Sequence, residues 1–150
     1  MIPAKFEYLS PKTIDEVLGI LSSQSGDAKI LAGGHSLVPM MKLRLSMPSM
    51  VIDMKNLRND LAYIREDETQ IHIGALTTHS EIEHSELIKE KCPVLAETAS
   101  IIADIQVRNK GTIGGSLAHA DPASDYPACI LALATDIIIK GTSGERTVPA

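Results

Sequence analysis

Apolar positions along residues 1–55 alternate between short strand-like runs and one helical stripe. Residues 6–9 read as a short strand. Ser10-Pro11 is placed to begin a helix, with serine as its cap, proline in its first turn, and Asp15 and Glu16 near its positive end. Ile14, Val17, Leu18 and Leu21 fall at i, i+3, i+4 and i+7, which gives that helix one apolar face, and Ser25-Gly26-Asp27 ends it. Residues 28–32 form an apolar strand that runs straight into Gly33-Gly34. Residues 36–45 have helical character with Pro39 in the first turn, Pro48 stops them, and residues 50–54 return to strand.

From Leu61 the pattern changes. Residues 62–65 and 69–73 alternate across Glu66-Asp67-Glu68 and predict an antiparallel hairpin. Residues 78–91 read as one polar helix, 93–103 as an apolar helix, 106–111 as a loop, and 123–134 as a further helix. Residues 136–140 and 146–148 flank Gly141-Thr142-Ser143-Gly144 as a second hairpin. The fold class is therefore α+β: an N-terminal α/β subdomain over residues 1–55 and a mixed sheet-and-helix middle subdomain over 56–150. A last strand left unpaired would expose an edge, so further polypeptide is expected to complete the sheet.

Composition narrows the chemistry. The chain has 150 residues, 44% of them hydrophobic and 22% charged, in the ordinary globular range. It has no Trp, one Phe and three Tyr, which removes the aromatic platforms of single-strand nucleic-acid binding. A net charge of −5 offers no positive field to nucleic acid. Cys92 and Cys129 form no C-x-x-C pair, against a zinc ribbon or an iron–sulfur cluster on this chain. With no signal-like N-terminus and no apolar run long enough to span a membrane, cytoplasm is the default compartment.

Two segments carry the candidate chemistry. Ala32-Gly33-Gly34-His35-Ser36-Leu37 and Ile113-Gly114-Gly115-Ser116-Leu117 each combine an apolar residue, two glycines, a serine and a leucine. Paired glycines turn successive N–H groups toward one point and let an anion approach the backbone, and the serine adds a hydroxyl donor. Two such loops facing each other would hold a diphosphate without lysine. Neither matches the P-loop or G-x-G-x-x-G pattern, so either pair alone reads equally as a turn.

The flanking residues extend the case. The stretch from Ala32 to Leu45, AGGHSLVPMMKLRL, resembles the first FAD signature of the medium, flavoprotein subunits of carbon monoxide dehydrogenase-type molybdenum hydroxylases. The stretch from Gln106 to Asp125, QVRNKGTIGGSLAHADPASD, resembles the second. The same module occurs inside the longer chain of xanthine dehydrogenase. The resemblance implies a PCMH-type FAD-binding fold lacking its C-terminal domain, with FAD in the cleft between the subdomains. It places the diphosphate against Leu31, Ala32, Gly33, Gly34, His35, Ser36 and Leu37 on one side and Thr112, Ile113, Gly114, Gly115 and Ser116 on the other. Asp125 matches an acidic position contacting the flavin nucleotide, and Ile102 a position beside the isoalloxazine ring. No catalytic residue and no metal ligand are implied. The partners implied are a molybdenum-pterin large subunit and a two-cluster iron–sulfur small subunit, with a separate C-terminal remainder of the flavoprotein as a further one. In that setting the chain passes electrons from the clusters through FAD to an external acceptor and is not fully active alone.

Competing readings are a truncated assembly module that docks partner subunits without flavin, and a stand-alone enzyme using another diphosphate such as a nucleotide sugar. The latter lacks an acid–base constellation. His72, His79 and His84 read as solvated or hydrogen-bonded residues, while His35 and His119 serve either the flavin or their own loops. Arg108 and Lys110 face either the diphosphate or solvent. Ser36 and Ser116 lack the partners of a nucleophile. The Met40-Met41 pair, Met47, Met50 and Met54 are expected to fill the core, and the acidic runs 66–68 and 81–90 to be solvated surface.

Overall fold

The computed structural model describes residues 1–23 and 26–150. Three short strands, β1 (Glu7–Leu9), β2 (Ala28–Leu31) and β3 (Met50–Asp53), form a parallel sheet in the order β1-β3-β2. Met50, Val51 and Ile52 in the central strand are buried, as expected of a parallel strand covered on both faces. Helix α1 (Ile14–Ser23) packs Val17 onto this sheet, with Ile14, Ile20 and Leu21 beside it. Its start differs from expectation. Thr13 is the cap, its hydroxyl accepting from the Glu16 N–H at 3.2 Å, and Glu16 reaches back to the Lys12 N–H at 2.7 Å. Ser10 is occupied elsewhere, accepting from Asn56 Nδ2 at 3.0 Å. The expected end of α1 includes Ser25, which lies outside the described residues.

Helix α2 (Leu37–Lys42) ends earlier than Pro48 because Arg44 turns left-handed, at φ 59°. Met41 and Met50 are buried, but Met47 is 61% exposed and does not fill the core. After β3, a 3-10 turn (Met54–Leu57) and a short helix α3 (Arg58–Leu61) lead to the antiparallel hairpin β4 (Ile64–Glu66) and β5 (Ile71–Ile73). Arg58 ties this connection to the rest: Nη1 donates to the Leu76 carbonyl at 2.9 Å and Nη2 to Glu81 at 2.6 Å.

The expected polar helix is two helices, α4 (His79–His84) and α5 (Glu86–Lys91). Ser85 separates them in extended conformation and caps the second by accepting from the Ile88 N–H. Thr78 and Glu81 form a reciprocal capping box at the start of α4. The acidic run is thus not merely solvated, since Glu81 holds Arg58 and Glu83 holds Arg108. Helix α6 (Pro93–Ile101), a single turn α7 (Ile105–Arg108), α8 (Ile113–His119) and α9 (Asp125–Ala132) follow, and the hairpin β6 (Asp136–Gly141) with β7 (Gly144–Pro149) closes the chain.

Two apolar clusters result. One joins Val17, Met50, Ile52, Leu57 and Leu76; the other joins Ile82, Ile88, Leu95, Ala96, Ala99, Ile113, Tyr126 and Cys129.

Candidate functional site

The first glycine segment leaves the sheet where β2 ends at Leu31, which is level with Asp53 of β3. This is the carboxyl edge of a parallel sheet, where open α/β folds place their ligands. Gly34 has φ +78°, a left-handed value that turns the chain into α2. His35 donates from Nδ1 to the Gly33 carbonyl at 2.9 Å, so its ring serves its own loop. Among the described residues, the N–H groups of Gly33, Gly34, His35 and Ser36 donate to no protein acceptor. Four such donors on one partly exposed turn are free to meet an anion.

The second pair is built differently, which corrects its reading as a loop. Gly114 and Gly115 lie in the first turn of α8, capped by Thr112, whose hydroxyl accepts from the Gly115 N–H at 3.2 Å. The Ile113 N–H donates to Thr77 O and that of Gly114 to Ala75 O, each at 3.0 Å, and the Ser116 N–H to Thr112 O at 3.0 Å. These N–H groups are therefore spent inside the fold. A Cβ on Gly114 would sit 2.6 Å from the Ala75 carbonyl oxygen, so the glycine lets α8 close onto residues 75–77. Hydroxyls remain on this side: Thr112 Oγ1, and Ser116 Oγ at 3.1 Å from Ser124 Oγ.

The two segments meet. A Cβ on Gly33 would lie 2.2 Å from the Lys110 carbonyl oxygen and 2.7 Å from Gly111 Cα, and one on Gly115 would reach Ala32 Cβ at 3.5 Å. Gly33 with Lys110-Gly111 and Ala32 with Gly115 thus form one seam between the two segments. Asp125 is exposed at the start of α9, one residue after the Ser124 that touches Ser116. Ile102 is not joined to the seam directly; it ends α6 and packs on the cluster containing Ile113. His119 is exposed at the end of α8.

Arg108 faces neither the seam nor open solvent. Nε donates to Glu83 at 2.8 Å, and Nη1 to the carbonyls of Ile102 and Ala103 at 3.2 and 3.1 Å, with the side chain 16% exposed. Ala103 is left-handed at φ 45°, and Arg108 holds that turn. Arg108→Ala is expected to cost about 1–3 kcal/mol, measured by urea unfolding, because it frees a part-buried carboxylate and two carbonyls.

Sequence reasoning missed His79. It lies 5% exposed, its Nδ1 3.2 Å from the Tyr126 hydroxyl and its backbone N–H bonded to Gly111 O at 3.0 Å. A Cβ on Gly111 would lie 2.5 Å from His79 Nε2, so the ring packs directly beneath the glycine that meets Gly33. The capping signature Thr78-x-x-Glu81 located the helix start, but nothing in the pattern announced a buried first-turn ring. Burial first, and then the charge of nearby His35, lower the His79 pKa from 6.5 to about 4. The unfolded chain therefore protonates first on acidification. Stability is full above about pH 6.5 and declines toward pH 4, by about 3 kcal/mol. Thermal melts across this range are expected to show the decline, and His79→Gln to flatten it.

The sequence profile described as "FAD binding domain in molybdopterin dehydrogenase" matches residues 4–150. The chain belongs to this family. It is 46% identical over 150 residues to the carbon monoxide dehydrogenase medium chain of Hydrogenophaga pseudoflava, covering all of this chain and 52% of that relative. It is 43% identical over 149 residues to a 6-hydroxypseudooxynicotine dehydrogenase complex subunit alpha of Paenarthrobacter nicotinovorans, covering 99% of this chain and 50% of that one. The solved carbon monoxide dehydrogenase of Hydrogenophaga pseudoflava superposes with a TM-score of 0.96 at 46% identity, over 99% of this chain and 52% of that chain. Quinoline 2-oxidoreductase of Pseudomonas putida 86 gives 0.94 at 34% identity, again over 99% and 52%. The chain thus spans about half the length of the curated relatives it matches.

As an FAD binding domain, the chain has FAD as its cofactor, and the seam fits the dinucleotide's diphosphate. The first segment offers unpartnered N–H donors, and Gly33 lets that segment close onto Lys110 and Gly111. Net charge on the seam is not required, because backbone dipoles suffice at such sites. No helix among the described residues is long and apolar enough to cross a membrane.

Proposed function

We propose that this chain carries FAD as the flavoprotein part of a molybdenum hydroxylase, passing electrons delivered through iron–sulfur clusters to an external acceptor. The observation that carries the reading is the seam of Gly33 on Lys110-Gly111, with the donors of residues 33–36 left free beside it. When bound, FAD supplies the step between one-electron and two-electron carriers. The chain's own residues do the rest. N–H groups of Gly33, Gly34, His35 and Ser36 hold one face of the diphosphate, and the hydroxyls of Thr112 and Ser116 the other. Asp125 accepts from ribose or adenine donors. Ile102 lies on the ring side. The partners are a molybdenum-pterin subunit, a two-cluster iron–sulfur subunit, and the polypeptide corresponding to the other half of the relatives. The compartment is the cytoplasm.

The test uses the assembled complex under anaerobic conditions. Reducing equivalents from the molybdenum side should bleach both the cluster and flavin bands, and an acceptor dye should restore them. A complex carrying Gly33→Val should bleach its clusters but reoxidise slowly. Unchanged reoxidation in a flavin-free complex would remove the electron-transfer role and leave a docking module.

A further inference from the structure

The second half of the seam poses a question of supply. The N–H groups of Ile113, Gly114 and Gly115 are spent on Thr77, Ala75 and Thr112, so a diphosphate lying there needs other donors. Beneath Gly111 lies the His79 ring. Its Nδ1 is paired with Tyr126 at 3.2 Å, the two rings 5.3 Å apart and tilted by 55°. Its Nε2 has no protein partner among the described residues. Yet no buried side-chain nitrogen or oxygen among them is left unsatisfied, so Nε2 keeps some solvent exposure although the residue is only 5% exposed. The edge lies against Gly111, where a Cβ would come within 2.5 Å of it, and Gly111 in turn meets Gly33 of the first segment.

We infer that His79 is a binding residue of the diphosphate cradle, donating a hydrogen bond from Nε2–H as a neutral imidazole. The inference rests on the FAD reading above. The tautomer follows from the pairing: a tyrosine hydroxyl donating to Nδ1 leaves the proton on Nε2. Burial, with Cys129 and Asp125 nearby, raises the Tyr126 pKa and keeps it a donor. Burial and His35 keep His79 uncharged. The titratable groups facing the ring are Tyr126 and His35. A neutral donor suits this position. It adds a hydrogen bond beside the free N–H groups of residues 33–36 without burying a positive charge against His35.

The experiment is long-range proton–nitrogen NMR on the full chain labelled with 15N-histidine, before and after adding FAD. Free protein should show His79 as the Nε2–H tautomer and neutral down to about pH 5. FAD should shift the Nε2 resonance and leave the nitrogen type of Nδ1 unchanged. In parallel, FAD titration should show about tenfold weaker binding for His79→Phe, recovery toward wild type for His79→Gln, whose amide can donate from a similar place, and an intermediate loss with mixed tautomers for Tyr126→Phe. An Nδ1–H tautomer, a ring titrating near pH 6.5, or FAD binding with Nε2 unmoved would overturn the role of His79 alone. A folded chain with the Nε2–H tautomer but no FAD binding would overturn the flavin reading, and this role with it.

Discussion

Gly33→Ala is expected to lower FAD affinity by about 100-fold or more and to destabilise the fold by about 2–4 kcal/mol. A methyl group there would lie 2.2 Å from the Lys110 carbonyl oxygen and 2.7 Å from Gly111 Cα. Both are backbone atoms, so no rotamer change relieves the overlap, and the segments must separate. Opening the seam displaces the segment that carries the free N–H groups of residues 33–36. Each charge-assisted bond lost is worth about 1.5–3 kcal/mol, and two of them give the affinity change. Isothermal titration and urea unfolding of the same preparation read the two effects. Binding within about threefold of wild type would mean that the close approach of Gly33 is not what shapes the ligand site.

Gly111→Ala is expected to be the second large lesion, for a different reason. Its new methyl would meet a ring, with His79 Nε2 at 2.5 Å and Cδ2 at 2.8 Å, rather than a backbone. That ring cannot swing aside without losing Tyr126. We expect about 2 kcal/mol of destabilisation, with coupling of about 1–2 kcal/mol to His79→Ala in a double-mutant cycle. The double variant should therefore be more stable than the two single effects sum to. Simple additivity would show that the ring and the glycine are not packed as described.

The contrast between the two glycine pairs shows what was legible in the sequence. The strand–helix alternation of residues 1–55 and the two hairpins follow from periodicity, and the meeting of the two glycine segments is implied by the long flanking motifs. Gly33-Gly34 behaves as its composition suggests, since the chain must leave a strand and turn left-handed there. Gly114-Gly115 looks the same in sequence but sits in a helix, because Thr112 caps it and Thr77 and Ala75 take the N–H groups of Ile113 and Gly114. Those acceptors lie more than thirty residues away, so no local pattern could have revealed them. Arg108 is a similar case. Beside a glycine motif it reads as an anion ligand, yet Glu83 and two carbonyls across α6 and α7 claim it. The break at Ser85 was readable as a serine within a helical run, but only its capping bond makes it a boundary.

The most direct test of the account is a fluorescence-quenching titration of FAD with the purified chain, folded by circular dichroism. Wild-type protein should bind saturably at one site with Kd on the order of 1–100 µM, should show the flavin band at about 450 nm, and should lose both with Gly33→Val. A folded wild-type chain that gives no saturable quenching, alone or together with the polypeptide corresponding to the other half of its relatives, would contradict the account.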